Sequence, residues 1–379
     1  MTPIVWQKWP KYADEEVEAV QRVVRSNQIF AANEVSQFEI EFSKYTKSPN
    51  SIGVGNATQG LHLALAALNI GAGDEVIVTP YSWISTASCI LMQNAIPIFA
   101  DIESETLGLN PIEIEKKITS NTKAIIYVHM FGYPAKANEI LSIGKKYNIP
   151  VIEDASHAHG MQIQGIKAGN FGDISVFSLH QRKALSVGDG GVICTSNNKL
   201  AERIRRLRSF GDGELSYNYR MTEFAGALGQ VGLKKLDYEN TLRRKNAQLL
   251  DSLLNNNKLI VRLTSGNNYG VYYSTLIEIK SEIQNLDDRV QTINKLGIPL
   301  KKTWQPLHRH PHFNPTTPPA RGVPWNHLAK NIDWEEYQSQ SYPITELYCQ
   351  KRIYELDMHP YVSEENILFA ANALNFLLK

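Results

Sequence analysis

The chain has 379 residues, and 39 Lys plus Arg against 38 Asp plus Glu leave a formal charge of +1. At ~100–200 residues per domain the length fits two or three domains, and the charge balance gives no basic footprint for nucleic acid or an anionic membrane as main partner. Hydrophobic residues at 43% and charged residues at 20% are globular proportions that argue against extensive disorder.

In chain order, the opening MTPIVWQKWPKYADEE lacks a basic stretch followed by an apolar core, so it does not read as a signal peptide. TQGLHLALAALNI (58–70) predicts a helix by its length and its Leu/Ala content, and EVIVT (75–79) a buried strand. A helix is expected near 84–93, then the strand IPIFA (96–100), a helix over 111–118, and the strand AIIYV (124–128). A helix over 136–147, the strands PVIE (150–153), ISVFS (174–178) and GVICT (191–195), and the basic amphipathic helix KLAERIRRLRS (199–209) complete this half. Apolar runs of strand length alternating with helices predict an α/β fold, a mostly parallel sheet with helices on both faces. Every apolar run is far shorter than the ~20 residues of a membrane span. Cys89, Cys194 and Cys349 are too few and too dispersed for a disulfide framework or a C-x-x-C metal site. A soluble, cytoplasmic protein is expected.

After about residue 223 the pattern changes. EFAGALGQVGLKKLDYENTLRRKNAQLLDSLL predicts one long helix bridging two domains. VYYSTLIEI (271–279) alternates like a half-buried strand, a Pro- and His-rich loop covers 306–324, and two helices are expected near 345–356 and 364–378. The expected division is a large domain over 1–240 and a smaller C-terminal α/β domain over 241–379, with residues 1–15 packing on the small domain.

Three patterns mislead. GVGNATQG (53–60) lacks both the Lys-Ser/Thr ending of a Walker A loop and the glycine spacing of a dinucleotide fingerprint. It reads as a turn feeding a helix capped by Asn56 or Thr58, whose free N–H groups would still suit a phosphate. EDASHAH (153–159) and HRHPH (308–312) lack the helical His spacing of a metal site, so no metal is expected. Asn56-Ala57-Thr58 matches a glycosylation acceptor by chance, since nothing else points to secretion.

ISVFSLHQRKALSVGDGGVICT (174–195) carries the chemistry. A strand ends at Ser178, a polar turn holds His180, Gln181 and Lys183, and Gly188-Asp189-Gly190-Gly191 leads into the next strand. A lysine at a strand end is where an amine could reach a bound carbonyl, although taken alone it reads equally as a solvated lysine. Upstream, PVIEDASHAHG puts Asp154 at the carboxyl end of a strand, where open α/β sheets gather ligands. Acidic residues at a strand end are common and often just cap the next helix, but a pyridine-containing aldehyde cofactor needs such a carboxylate to keep its ring nitrogen protonated. TPYSWIST (79–86) puts Trp83 after another strand, either as a stacking aromatic or as core, and SYNYRMTEFAGALG (216–229) brings Asn218, Tyr219 and Arg220 before the long helix.

Taken together and in this order, the blocks resemble the DegT/StrS family of PLP-dependent sugar aminotransferases, which have the aspartate aminotransferase (type I) fold. The matching blocks are GVGNATQGLHLALAALNIGAGDEVIVTPYSWIST, HMFGYPAKANEI, VIEDASHAHG, GNFGDISVFSLHQRKALSVGDGG and YNYRMTEFAGALG, with a weaker echo in QPLHRHPHFNP. The resemblance implies that Lys183 binds pyridoxal 5'-phosphate as an imine and then shuttles the substrate proton. It implies that Asp154 pairs with the pyridine nitrogen, that His157 sits near the ring's phenolic oxygen, and that Trp83 stacks on the ring. Ala57, Thr58 and Ser178 would hold the phosphate, and Asn218 would reach the phosphate of the neighbouring subunit in a homodimer with shared sites. Asp189 stands where Glu is usual, and Leu356-Asp357 replaces a usual Leu-Pro. Neither departure touches the cofactor chemistry.

The implied reaction moves an amino group from glutamate or glutamine to a keto-sugar, nucleotide-linked or otherwise, or to a small phosphorylated ketone. Such a step belongs to sugar, surface-polysaccharide or secondary-metabolite biosynthesis. His180, Arg220, His308 and Arg309 are the candidate substrate contacts. Lys301, Lys302, His308, Arg309, His310 and Arg321 form a basic cluster that reads either as a phosphate site or as a solvated loop. Relatives that dehydrate keto-deoxy sugars carry His in place of the lysine, so Lys183 favours transamination over a dehydratase. The intact set of Asp154, Ser178, Lys183 and Asn218 argues against a non-catalytic sensor.

Overall fold

A computed structural model describes residues 2–30, 32–211, 213–314 and 333–379. Two helices open the chain, α1 (Asp14–Ser26) and α2 (Asn33–Thr46). There follow β1 (Asn50–Val54), α3 (Ala57–Ala67), β2 (Glu75–Val78), α4 (Ser85–Met92), β3 (Ile96–Phe99) and α5 (Pro111–Lys117). Next come β4 (Thr122–Val128), α6 (Ala137–Tyr147), β5 (Val151–Asp154), the two-residue strands β6 (Gln162–Ile163) and β7 (Ile166–Lys167), β8 (Ile174–Ser178), β9 (Gly191–Thr195) and α7 (Asn198–Arg208).

The main sheet runs β1-β9-β8-β5-β4-β2-β3. Its pairings are parallel except where β9 runs antiparallel to β1 and β8. Ile125, Ile126, Ile152 and Val176 are fully buried in its centre, with one apolar cluster on each face. That double burial explains why the strands read as continuous apolar runs. The α/β architecture expected from the sequence is therefore the observed one, and each strand predicted in this half appears within two residues of its expected bounds.

The 31-residue helix α8 (Glu223–Leu253) begins against α1 and α2 and ends against the second sheet. Thr222 caps it, its hydroxyl accepting from Ala225 N at 3.2 Å. The buried Glu223 carboxylate in turn accepts from the backbone N–H of Ala32, Glu34 and Val35 at 2.8–3.1 Å, which satisfies the start of α2 in place of a local cap. Gly226 allows that approach, because a Cβ there would lie 2.7 Å from Val35 N.

The second sheet is antiparallel. After α8 come β10 (Leu259–Val261), β11 (Asn268–Tyr269), β12 (Thr275–Ile279), α9 (Leu286–Lys295), β13 (Leu300–Lys302), α10 (Trp334–Ser339), α11 (Pro343–Leu347), β14 (Ile353–Leu356) and α12 (Glu364–Leu377). The strand order is β10-β12-β14-β13, and α9 and α12 share its apolar core. The helix expected near 345–356 is corrected here: it stops at Leu347, a π-turn covers Tyr348–Arg352, and Ile353–Leu356 is a fully buried strand. Pairing with both β12 and β13 overrides the local helical preference. The strand expected over 271–279 begins only at Thr275, and Val271 and Tyr273 bond instead to the turn at Phe131 and Gly132 that follows β4. Among the described residues no helix is long and apolar enough to cross a membrane.

Glu153 ties β5 to the loop that follows it. It is fully buried and accepts from Ser175 Oγ at 2.6 Å, Phe171 N at 2.9 Å and Gly169 N at 3.0 Å. His129 Nδ1 accepts from Ala135 N, which leaves its Nε2 to donate to Glu153 at 3.2 Å. Burial would raise the Glu153 pKa, but the hydrogen bonds from His129, Ser175 and Gly169 outweigh it and hold the carboxyl below its ordinary 4.5. Glu153→Gln would set an amide N–H against this ring of donors. We expect it to lower the unfolding free energy by about 3 kcal/mol in urea titrations. Because the folded-state pKa is depressed, this increment is complete above pH 4.5 and drains as pH falls through the folded value. The gap between wild type and variant should therefore narrow in acid.

Candidate active site

The carboxyl ends of β5 and β8 and the head of α3 open into a cavity of about 300 Å³. At α3, Asn56 caps the helix by accepting from Gln59 N at 3.0 Å, as one of the two expected caps. The first N–H groups of Ala57 and Thr58 thereby form the cavity floor, a helix start suited to an anion. Gly191 makes room for them, since a Cβ there would meet the Asn56 carbonyl carbon at 2.7 Å. Thr58 Oγ1 donates to Ser85 Oγ at 2.8 Å, and Ser178 reaches the same floor from the end of β8.

Asp154, the last residue of β5, is 3% exposed. Its carboxylate accepts from Thr86 Oγ1 at 2.8 Å and from Ser156 N at 3.1 Å, so one hydroxyl and one backbone N–H hold it in place. Lys183 enters from the loop between β8 and β9. Its ammonium lies 4.7 Å from the Tyr273 ring centroid, and burial pushes its pKa down to about 7. The Asp154 charge opposes that shift and the neighbouring Arg182 adds to it. An amine so tuned is part neutral near pH 7 and competent both to attack a carbonyl and to carry a proton.

His157 lines the same wall, stacked on Tyr273 at 4.4 Å and on Phe131 at 6.0 Å. Phe131 N donates to its Nδ1 at 3.2 Å, so the neutral ring carries its proton on Nε2. Burial and the Lys183 charge keep the ring neutral by pushing its pKa well down. Among the described residues the buried Nε2 has no hydrogen-bond partner. Trp83, 55% exposed, meets Trp304 edge-on at 5.7 Å across the mouth.

A planar, phosphorylated pyridine aldehyde fits these groups. The floor offers N–H donors for the phosphate, Asp154 a carboxylate for the ring nitrogen, and Lys183 an amine for the aldehyde. The unpartnered His157 Nε2 offers a donor for a ring oxygen.

The structure thus gathers Ala57, Thr58, Trp83, Asp154, His157, Ser178, His180 and Lys183 into one cavity. Asn218 and Arg220 lie off it. Asn218 is exposed and accepts from Arg220 Nε at 3.0 Å, while the Arg220 guanidinium covers the rings of Phe30 and Phe210 at 4.3 and 5.3 Å. His308 and Arg309 also lie off it and share Glu346, at 3.0 and 2.7 Å. Lys301 and Lys302 pair with Glu355 and Asp287, and Arg321 falls outside the described residues. The sequence reading missed Thr86, Tyr273 and Trp304. Thr86 stood in the TPYSWIST block, where a hydroxyl one helical turn past Ser82 was the available signal. Tyr273 and Trp304 had none.

Residues 10–367 match the DegT/DnrJ/EryC1/StrS aminotransferase family. The chain is 33% identical over 342 residues to L-glutamine:2-deoxy-scyllo-inosose aminotransferase of Streptomyces kanamyceticus, covering 82% of this chain and 80% of that one. It is 30% identical over 376 residues to GDP-perosamine synthase of Escherichia coli O157:H7, covering 97% and 96%. The X-ray structure of an aminotransferase from Psychrobacter cryohalolentis superposes with a TM-score of 0.88 at 28% identity, over 98% of each chain.

Proposed function

The chain belongs to the DegT/DnrJ/EryC1/StrS aminotransferase family, and from that premise we propose that it uses pyridoxal 5'-phosphate to move an amino group from glutamine or glutamate onto a keto-sugar or cyclitol. The observation that carries this reading is the Lys183 amine, its pKa brought down to about 7, in one cavity with the fixed Asp154 carboxylate and the α3 floor. The bound cofactor supplies an electron sink for the bond broken at the substrate carbon.

The chain's own groups do the rest. Ala57, Thr58 and Ser178 hold the phosphate. Asp154 keeps a negative charge beside the ring nitrogen, His157 donates to the phenolic oxygen, and Trp83 covers the ring. Lys183 Nζ takes the proton from the donor's α-carbon and, in the second half-reaction, returns a proton to the carbon that receives nitrogen. Its nitrogen must titrate near working pH for both transfers, which burial provides.

A second copy of the chain completes the site. Asn218 stays exposed off its own cavity, beside Phe30 and Phe210, which are 58% and 62% exposed and clasp Arg220. That apolar patch fits burial against a partner that would carry Asn218 to the neighbouring phosphate. The names of two relatives, an L-glutamine:2-deoxy-scyllo-inosose aminotransferase and a GDP-perosamine synthase, support a reading in which the acceptor is a keto-cyclitol or a nucleotide-linked keto-sugar.

The test is the visible absorption spectrum of the purified protein with added pyridoxal 5'-phosphate, then with glutamine and glutamate separately. The expected result is a yellow band that one donor bleaches, with one equivalent of the corresponding 2-oxo acid released. No band after addition of the cofactor would sink the reading.

A further inference from the structure

The N-terminal strap reaches the Lys183 loop from outside the cavity. Trp9 Nε1 donates to the Lys183 backbone carbonyl at 3.0 Å. Three residues later Tyr12 OH meets Ser186 Oγ at 3.1 Å, on the same loop. The Lys183 N–H is itself committed to His180 O at 2.8 Å, so both main-chain polar groups of this residue are fixed, one by the strap. We propose that Trp9 is a positioning residue for Lys183, its indole N–H setting the height from which the lysine side chain reaches into the cavity.

The indole is built to hold that position. The Arg243 guanidinium, itself 2% exposed, lies 4.7 Å from one of its rings. His359 and Tyr361 stack on it, each at 6.1 Å and within 27° of parallel. These supports are anchored in turn. Tyr361 OH donates to Glu239 at 2.8 Å, Arg243 bonds Asn240 at 3.2 Å, and Asn246 Nδ2 donates to the His359 carbonyl at 3.1 Å. Farther up the strap, Trp6 Nε1 donates to Asp357 O at 2.8 Å and Ile4 N to Leu296 O at 3.0 Å, both in the C-terminal lobe. The strap therefore ties α8 and the C-terminal lobe to the loop that carries the lysine.

Lys183 has a long, flexible stem, and among the described residues its Nζ meets the face of Tyr273 and makes no hydrogen bond. Its placement therefore depends on where its main chain sits. Losing the Trp9 bond frees a carbonyl that must find water, and the loop relaxes toward solvent. Water then reaches the lysine nitrogen and favours its charged form.

The inference rests on the cofactor reading above, and the test separates the two. In Trp9→Phe, which keeps a ring for Arg243, His359 and Tyr361 but removes the donor, the pH midpoint of the visible band is expected to rise by at least about half a unit. The half-reaction with the amino donor should slow roughly tenfold, with KM nearly unchanged. Trp6→Phe also loses an indole hydrogen bond but lies away from the lysine, and should lower the melting temperature without moving the midpoint. A wild-type protein that develops no band overturns the cofactor reading and this inference with it. A normal wild-type band with unmoved midpoint and rate in folded Trp9→Phe overturns this inference alone. Should Trp9→Phe fail to fold, the indole N–H signals of ¹⁵N-labelled wild type decide. The Trp9 signal is expected to shift when the cofactor is added while the Trp6 signal stays, and an unmoved Trp9 signal overturns the proposal.

Discussion

Lys183→Ala is expected to lose the visible band and to lower turnover by about 10⁴-fold, the upper range for a positioned acid–base group. The loss is this large because nothing in the cavity replaces the amine. Lys183 is the one lysine among the described residues that line it, and its neighbour Arg182 offers a delocalised guanidinium in place of a primary amine. His180 and His157 lack the reach and basicity to stand in, since burial depresses both. The fold should survive, because the contacts from Trp9 and His180 go to the main chain of residue 183, which alanine retains. We expect the melting temperature to stay within a few degrees and a small primary amine to restore part of the rate. Normal turnover by this variant would mean that Lys183 is not the group that carries the proton.

Lys183 and Asp154 stood out as candidates because Asp154 ends the short apolar strand β5 and Lys183 lies in the loop that follows β8, and in a parallel sheet those ends point to one rim. The glycines of GDGG were legible as a turn, and the structure adds why Gly191 admits no side chain against α3. Other parts were hidden for physical reasons. α1 buries only Glu16, Ala19 and Val23, too thin an apolar stripe to mark a helix, and α2 is capped by a carboxylate from the start of α8. Ile353–Leu356 shows its strand character only through partners on both sides.

Tyr273 belongs to the cavity because Tyr273 N donates to Phe131 O at 2.9 Å and Val271 N to Gly132 O at 3.0 Å, a crossing between lobes with no local signature. Charges adjacent in sequence also part in space. Lys301, Lys302 and Arg309 each settle on a different carboxylate, Glu355, Asp287 and Glu346, so a basic cluster in the sequence becomes three separate pairs. The two pairs open to solvent, Lys302–Asp287 and Arg309–Glu346, contribute little to stability. None of these six residues lines the cavity, where the described charged groups are Asp154, Arg182, Lys183 and Asp189.

Asp154→Asn tests the other half of that charge arrangement, and we expect it to slow both half-reactions by roughly 10²–10⁴-fold. The substitution conserves shape. Asparagine can still accept from Ser156 N, and the Thr86 hydroxyl, which now donates to Asp154 and also meets Ser82 Oγ at 2.7 Å, can turn to accept from an amide instead. What disappears is the negative charge that would keep the ring nitrogen protonated and so deepen the electron sink. A second consequence has a definite sign. Asp154 raises the Lys183 pKa against the burial that lowers it to about 7. Without that charge, burial and Arg182 act unopposed by it, and the amine titrates below 7. In cofactor-free protein, the pH dependence of Lys183 modification by an amine-reactive reagent should therefore shift to lower pH in the variant. An unchanged rate would assign control of the ring nitrogen to another group, whereas a slowed rate with an unmoved Lys183 titration would uncouple the two charges. The expected pair of results, slower chemistry together with a more acidic lysine, requires Asp154 to act on both the cofactor ring and the amine.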